Sequence, residues 1–353
     1  MRIVQVQTAD RGRRLGVING DKVLDITEIA GLPTLRSVYE AFQLAEQRAS
    51  TLNEIFAVRA KDSSRRFDYK DVLAAEPGGK WPYLLPPFDH PDPYHVLITG
   101  TGLTHLGSAK SRDEMHVVEA TNQPTASSGR ATNEQSTAPK TDSARMFEMG
   151  LTGGRPTAGQ RGVAPEWFYK GNGSILRGPR AALDIPEFAL DGGEEPEIVG
   201  CYVIDRNGKP VRLGFAVGNE WSDHPTEKIN YLYLAPSKLR TCAVGPELNT
   251  ECDFQEIPLR CTVTRGKQLL YDSGPLFSGE KHMCHSLANL EDHHFKYPQH
   301  RLPGDVHLHF FGTSKLSFGS RSWQYADGDI VKVEAPGFSA PLTNRVARAC
   351  VAN

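Results

Sequence analysis

No stretch of the 353-residue sequence approaches the roughly 18 to 20 apolar residues that a membrane-spanning helix needs. The opening MRIVQVQTADRGRR lacks the apolar middle of a secretion signal, so a cytoplasmic chain is expected. An excess of one charge is missing too. The 40 Lys and Arg stand against 42 Asp and Glu, which leaves no basic field to hold nucleic acid or an anionic membrane. Six cysteines (Cys201, Cys242, Cys252, Cys261, Cys284, Cys350) occur without any CxxC, so neither a zinc knuckle nor a disulfide framework is suggested, and reduced, mostly buried thiols are expected. What the chain does have is 33 glycines and 24 prolines, which favour a turn-rich, strand-rich architecture over a helical bundle. Its length suits two or three domains, or one large domain with a smaller appendage.

RIVQVQ and RLGVINGDKVLDIT read as short strands, the second folded over the hairpin signal Asn19-Gly20. TLRSVYEAFQLAEQRAS places Leu35, Val38, Tyr39 and Phe42 at helical spacing, one face packing on that sheet. The proline-rich PYLLPPFDHPDPYH can sustain neither helix nor central strand and reads as a connector. After it, GTGLTHLGSAKSRDEMH passes from strand to glycine-punctuated loop to polar helix; without a third glycine and a downstream acid it reads as a structural turn, not a nucleotide loop. EATNQPTASSGRATNEQSTAPKTDSA is polar and poor in apolar anchors, a surface loop or lid. Beyond WFYKGNGSILRGP come IVGCYVI, LGFAVGN, CAVGPEL, IPLRCTVTRG, DVHLHFFGT and DIVKVEAPG, each short, β-branched or aromatic, and bounded by turn residues. The expected class is β-dominated α+β. HMCHSLANLEDHHF reads as a helix whose His282, His285, His293 and His294 do not match HExxH spacing, hence a structural or lid helix.

GGEEPEIVGCYVI holds an awkward triplet, Glu195-Pro196-Glu197, at the mouth of an apolar strand. One reading is a solvated strand end in which the proline blocks edge pairing. The other begins from strand geometry: side chains two apart share a face, so Glu195 and Glu197 converge and repel unless a cation lies between them. A hard divalent ion takes oxygen ligands and keeps positions open for water and substrate. A third carboxylate, Glu220, ends the next strand in GFAVGNEWSDH.

In that order, GGEEPEIVGCYVI, GFAVGNEWSDH, SKLRTCAVGPEL, PGDVHLHFFGT and DGDIVKVEAPG with LTNRV resemble the catalytic domain of the fumarylacetoacetate hydrolase family over residues 96–346. The resemblance implies a mixed β-sheet roll or barrel as catalytic domain over 81–353, with a small N-terminal α+β domain over 1–80 and a polar lid at about 117–150. It implies Glu195, Glu197 and Glu220 as ligands of Mg²⁺, or of Mn²⁺ or Ca²⁺. The pattern also departs from the family's. Glu220 and His224 stand where members usually have Asp and Arg, and Ser108, in GLTHLGS, falls at the position of the histidine of the hydrolase and decarboxylase members.

These departures look most like a sugar-acid branch that dehydrates 2-keto-3-deoxy acids. The implied activity is conversion of a 2-keto-3-deoxy-D-pentonate (arabinonate) to 2-oxoglutarate semialdehyde through a metal-stabilised enolate. Glu114, favoured over its neighbour Asp113 for proton transfer, is otherwise an exposed helix acid; Lys238, near the family's substrate lysine, is otherwise a surface lysine. Ser108 and His105 are placed to orient a hydroxyl, His105 being otherwise a packed loop histidine. Lys170 is placed to pin the ligand carboxylates or to be an ordinary strand-end lysine, His224 to bind substrate, and Thr313 to meet a substrate carboxylate or merely to turn a hairpin. A hydrolase cleaving acylpyruvates or diketo-deoxy sugar acids and a non-catalytic sugar-acid-binding protein are the alternatives. The expected partner is a small keto acid, with no nucleic acid or membrane, in a homodimer or homotetramer.

Overall fold

The structure, a computed structural model, describes residues 1–107 and 141–349. Strands dominate it: β1 (Arg2–Thr8), β2 (Gly12–Asn19), β3 (Lys22–Asp25), β4 (Arg65–Asp68), β5 (Tyr83–Leu84), β6 (Val96–Gly102), β7 (Glu166–Asn172), β8 (Leu176–Arg177) and β9 (Ala182–Ile185). There follow β10 (Pro196–Ile204), β11 (Pro210–Asn219), β12 (Cys242–Asn249), β13 (Ile257–Arg265), β14 (Gln268–Asp272), β15 (Leu276–Ser278), β16 (Val306–Phe310), β17 (Ile330–Glu334) and β18 (Leu342–Arg348). A large mixed sheet runs β4-β3-β2-β1-β12-β11-β10-β16-β6-β7, and a smaller one β14-β13-β17-β18-β9. The N-terminal strands thus continue the large sheet, through antiparallel pairing of Arg2 with Asn249 and Ile3 with Leu248.

The pleat of β10 explains how the sheet is clothed. Ile198, Tyr202 and Ile204 enter the core shared with the small sheet, where they meet Phe215, Val217, Leu259 and Val333. Val199, Cys201 and Val203 alternate to the opposite core, with Phe42, Phe56, Ile98 and Phe310. A strand buried on both faces has no solvent side, which is why IVGCYVI is a near-continuous apolar run. Each large apolar side chain so buried stabilises the fold by about 1.5 to 3 kcal/mol.

The helix foreseen after Thr34 spans Val38–Gln47, with Ser37 accepting from the Glu40 amide. A second helix, Leu52–Lys61, escaped the periodicity reading; Thr51 and Glu54 form a capping box that starts it. The polar stretch read as loop gives way at Thr141, whose hydroxyl caps a helix over Asp142–Gly153. The earlier part of that expected lid, together with Ser108 and Glu114, lies outside the described residues. The helix expected from HMCHSLANLEDHHF is shorter than expected, Leu287–Phe295 with Ser286 as its cap, so only His293 and His294 belong to it. His282 sits instead in a single 3₁₀ turn, Glu280–His282. Among the described residues no helix is long and apolar enough to cross a membrane.

Candidate active site

Where β10 and β11 leave their apolar stretch, the alternation that buries Val199 and Cys201 brings Glu197 and Glu195 to the same face. Pairing of Glu197 with Gly218 sets the register, and the ladder extends past the strand ends: the Glu220 amide donates to the Glu195 carbonyl at 3.0 Å. The Glu195 amide in turn donates to Asn219 Oδ1 at 3.1 Å. Glu220 is in phase with Ala216 and Gly218, so all three carboxylates meet. One ligand oxygen from each lies within 4.8 Å of the other two, and every one of the residues is buried. The solvated-strand reading of Glu195 and Glu197 is therefore wrong: they are 5% and 1% exposed.

The sheet rolls over this point, bringing β6 and β7 above the end of β11. A Cβ on Gly100 would stand 3.0 Å from Glu220 Oε1 and 2.6 Å from the Phe168 ring, so only glycine leaves room there. The Phe168 ring centroid is 4.9 Å from Lys238 Nζ, a cation–π contact. Lys238 Nζ donates to Glu195 Oε1 at 2.5 Å and to Glu220 Oε2 at 3.2 Å, a buried ammonium bridging two of the carboxylates. Lys170, also buried, does not reach the carboxylates; it donates to the carbonyls of Trp221 (2.6 Å) and Lys238 (2.9 Å), tying together the two segments that carry Glu220 and Lys238. Burial presses its ammonium below the usual lysine range.

Electrostatically the cluster is short of positive charge. Burial and then the charges of Glu220 and Glu195 push Glu197 well above the ordinary carboxylate range. Burial likewise raises Glu220, to about 7, against the pull of Lys238. For Glu195 burial also pushes upward, but Lys238 and His224 outweigh it and hold the group well below its usual value. Glu197 Oε2 accepts from the Gly312 amide at 2.7 Å, while Glu197 Oε1 and Glu220 Oε1 are buried without a hydrogen-bond partner. Orphaned carboxylate oxygens facing one another at this spacing are the donor set a hard divalent cation uses. The residues fit such an ion.

The remaining expected residues fall at varying distances from this centre. His224 contacts Glu195, its Nε2 lying 3.0 Å from Oε1. Thr313, 5% exposed, follows Gly312 and donates to the Lys315 carbonyl at 3.2 Å. His105 is buried at the end of the β6 loop, bridged to Met283 and 2.9 Å from Thr104 Oγ1; burial presses its imidazole down to about 4. Glu194, the first of the consecutive acids, alternates away and accepts from Ser317 Oγ (2.9 Å) and Tyr325 Oη (2.5 Å), anchoring the segment that follows Thr313.

Sequence reasoning missed Glu166. On β7, Glu166, Phe168 and Lys170 are buried while Trp167 and Tyr169 are not, so the acid shares the face that covers the carboxylates. It pairs with Gly102 at the β6 end, and Tyr231 Oη donates to its Oε2 at 3.0 Å. The alternation in EWFYK was the available signal.

No protein-family model matches the chain, and no curated protein matches it. Solved structures do. A 2-keto-3-deoxy-D-arabinonate dehydratase complexed with magnesium and 2,5-dioxopentanoate superposes with a TM-score of 0.65 at 16% identity, covering 99% of each chain. The fold is that of the fumarylacetoacetate hydrolase family. A 5-carboxymethyl-2-hydroxymuconate delta-isomerase from Mycobacterium smegmatis shares it with a TM-score of 0.54 at 16% identity, over 99% of this chain and 100% of that one. A 2-hydroxyhepta-2,4-diene-1,7-dioate isomerase from Mycobacterium marinum matches with a TM-score of 0.54 at 17% identity, over 99% and 98%. The β-dominated α+β architecture implied by the five sequence segments is thus the architecture found.

Proposed function

We propose that the chain is a hydro-lyase that dehydrates a 2-keto-3-deoxy pentonate, such as the arabinonate, to 2,5-dioxopentanoate with the help of a divalent cation. The observation that carries this reading is the meeting of Glu195, Glu197 and Glu220, buried and with orphaned oxygens, with a fourth acid, Glu166, on the same face of β7 as Phe168. The product is taken from the dehydratase of the same fold, whose complex contains magnesium and 2,5-dioxopentanoate.

Held by the three carboxylates, Mg²⁺ or Mn²⁺ supplies Lewis-acid polarisation of a 2-oxo acid, which makes the carbon-3 proton acidic. The chain's own groups do the rest. Lys238, fixed by Glu195, Glu220 and the Phe168 ring, contributes a second positive charge for an anionic substrate. Glu166 is the base that removes the proton from carbon 3, its carboxylate oriented by the Tyr231 hydroxyl. The same carboxyl, now protonated, returns that proton to the 4-hydroxyl, so that water departs as the double bond between carbons 3 and 4 forms. Transfer of a proton from carbon 5 to carbon 3 and ketonisation of the resulting 5-enol give the aldehyde. Thr313, next to the Gly312 amide that holds Glu197, would bind the substrate's carboxylate end.

The test is incubation with 2-keto-3-deoxy-D-arabinonate and Mg²⁺, with product identification by NMR and a chelated control. The expected result is metal-dependent 2,5-dioxopentanoate. Pyruvate with a second fragment would instead establish carbon–carbon cleavage, and no turnover of any 2-oxo acid would leave only a binding protein.

A further inference from the structure

His224 opens the short helix His224–Ile229, whose N-cap Asp223 accepts from the Thr226 amide and is gripped by Arg240 at 2.9 Å. Its ring is buried and lies against Phe318, with centroids 5.4 Å apart. Nε2 sits 3.0 Å from Glu195 Oε1, the same oxygen that accepts from Lys238. A carboxylate oxygen so engaged only accepts, so the ring proton must reside on Nε2.

The other ring nitrogen has a different environment. Nδ1 is buried with no hydrogen-bond partner. It packs on the bare Cα of Gly193, where a Cβ would stand 2.0 Å from it. A proton there would be a buried donor without an acceptor, which carries the full cost of desolvation, whereas a lone pair against Cα–H is cheap to bury. Gly193 is itself held by the Ser222 amide, which donates to its carbonyl at 3.0 Å, so ring and glycine cannot drift apart. The imidazole is thereby limited to one donor with one target.

We infer that His224 is a positioning residue: locked by Gly193 in its Nε2–H tautomer, it fixes the orientation of the Glu195 carboxylate and so sets the affinity of the cation site proposed above, on which this inference rests. Its role differs from the direct substrate contact expected from the sequence, because its donor nitrogen is spent on Glu195.

The experiment is calorimetric titration of the full chain with Mn²⁺, without substrate, comparing wild type with His224→Gln, His224→Met, Gly193→Ala and Glu195→Gln. Outer-shell partners of metal ligands typically carry 10- to 100-fold in affinity. His224→Met, with no donor, is expected to weaken Mn²⁺ by roughly that factor, Gly193→Ala to do the same by displacing the ring, and His224→Gln, which keeps one N–H donor, to stay within about 3-fold of wild type. In the Glu195→Gln background, His224→Met should cost nothing further, since its effect passes through that carboxylate. Equal affinity in His224→Met and wild type, or a full additional loss on top of Glu195→Gln, would overturn the inference. Nitrogen-15 NMR of the wild-type imidazole, which needs no variant, should report the proton on Nε2; a proton on Nδ1 would refute it. Absence of Mn²⁺ binding by the wild type would instead sink the cation reading itself.

Discussion

Behind β16, which leads into Gly312, lies a stack of buried imidazoles, and it should make the fold acid-labile. His307 and His309 leave β16 on the face away from the carboxylates and meet His294, whose ring centroid is 5.0 Å from His307 and 4.5 Å from His309. Trp167 Nε1 donates to His294 Nδ1 at 3.1 Å, leaving His294 Nε2 to donate to His307 Nδ1 at 2.9 Å, while His309 Nδ1 pairs with Thr99 Oγ1 at 2.7 Å. Tyr297, Phe295 and His300 close the surroundings. Burial, and then the other histidines, hold His307 and His309 down to about 3, with His294 well below its usual value. A folded-state value below the unfolded 6.5 means that the unfolded chain binds the protons, so stability is intact above 6.5 and is lost as pH falls from there towards 3. At pH 5 each such group costs the fold about 2 kcal/mol, 1.5 pH units at about 1.36 kcal/mol each, and the pair about 4 kcal/mol, a large part of a typical 5 to 15 kcal/mol. His309→Asn keeps a partner for Thr99 and removes one titration. Urea unfolding at pH 7 and pH 5 should therefore show the variant losing about 2 kcal/mol less than wild type between the two. Parallel losses in both proteins would refute the reasoning.

Other perturbations should read out independently. Glu247, buried where Tyr69 and the Ser339 amide meet it, is raised by burial to about 7, so the unfolded carboxyl loses its proton first and stability falls as pH rises from 4.5 to 7. Glu247→Gln should flatten that decline by about 3 kcal/mol, measured by the same unfolding series; an unchanged slope would contradict it. Gly100→Ala drives a methyl into Phe168 and Glu220, so Mn²⁺ affinity should fall while secondary structure by circular dichroism is retained; undiminished affinity would show the contact to be slack. Glu166→Gln should leave Mn²⁺ binding intact and lower turnover by roughly 10² to 10⁴, and a normal rate would remove Glu166 from the mechanism.

The carboxylate cluster was legible because strand parity is local. Glu195 and Glu197 need only a period of two to converge, and Glu220, which ends the next strand in GFAVGNEWSDH, comes alongside by antiparallel pairing. Glu166 obeys the same parity, but nothing in EWFYK says that β7 will arch over β11; that closure is a property of the rolled sheet. The contacts that Lys170 and His224 make inside the protein were not legible, since a backbone carbonyl or a glycine Cα as partner leaves no mark on sequence spacing. The helix Leu52–Lys61 was overlooked because Ile55, Phe56 and Arg59 make a narrow buried stripe, and Arg59 counts as polar while its guanidinium is spent on the carbonyls of Ile26 and Thr27. HMCHSLANLEDHHF was legible as a helix, yet nothing in it shows that His294 will meet His307 and His309 of β16, thirteen and more residues away.

The central claim is that Glu195, Glu197 and Glu220 hold one divalent cation. Crystals grown with Mn²⁺ and measured for anomalous scattering should show a single strong peak among these three carboxylates, lost in Glu197→Gln. A map empty at that point, or a peak held by other residues, would contradict the account.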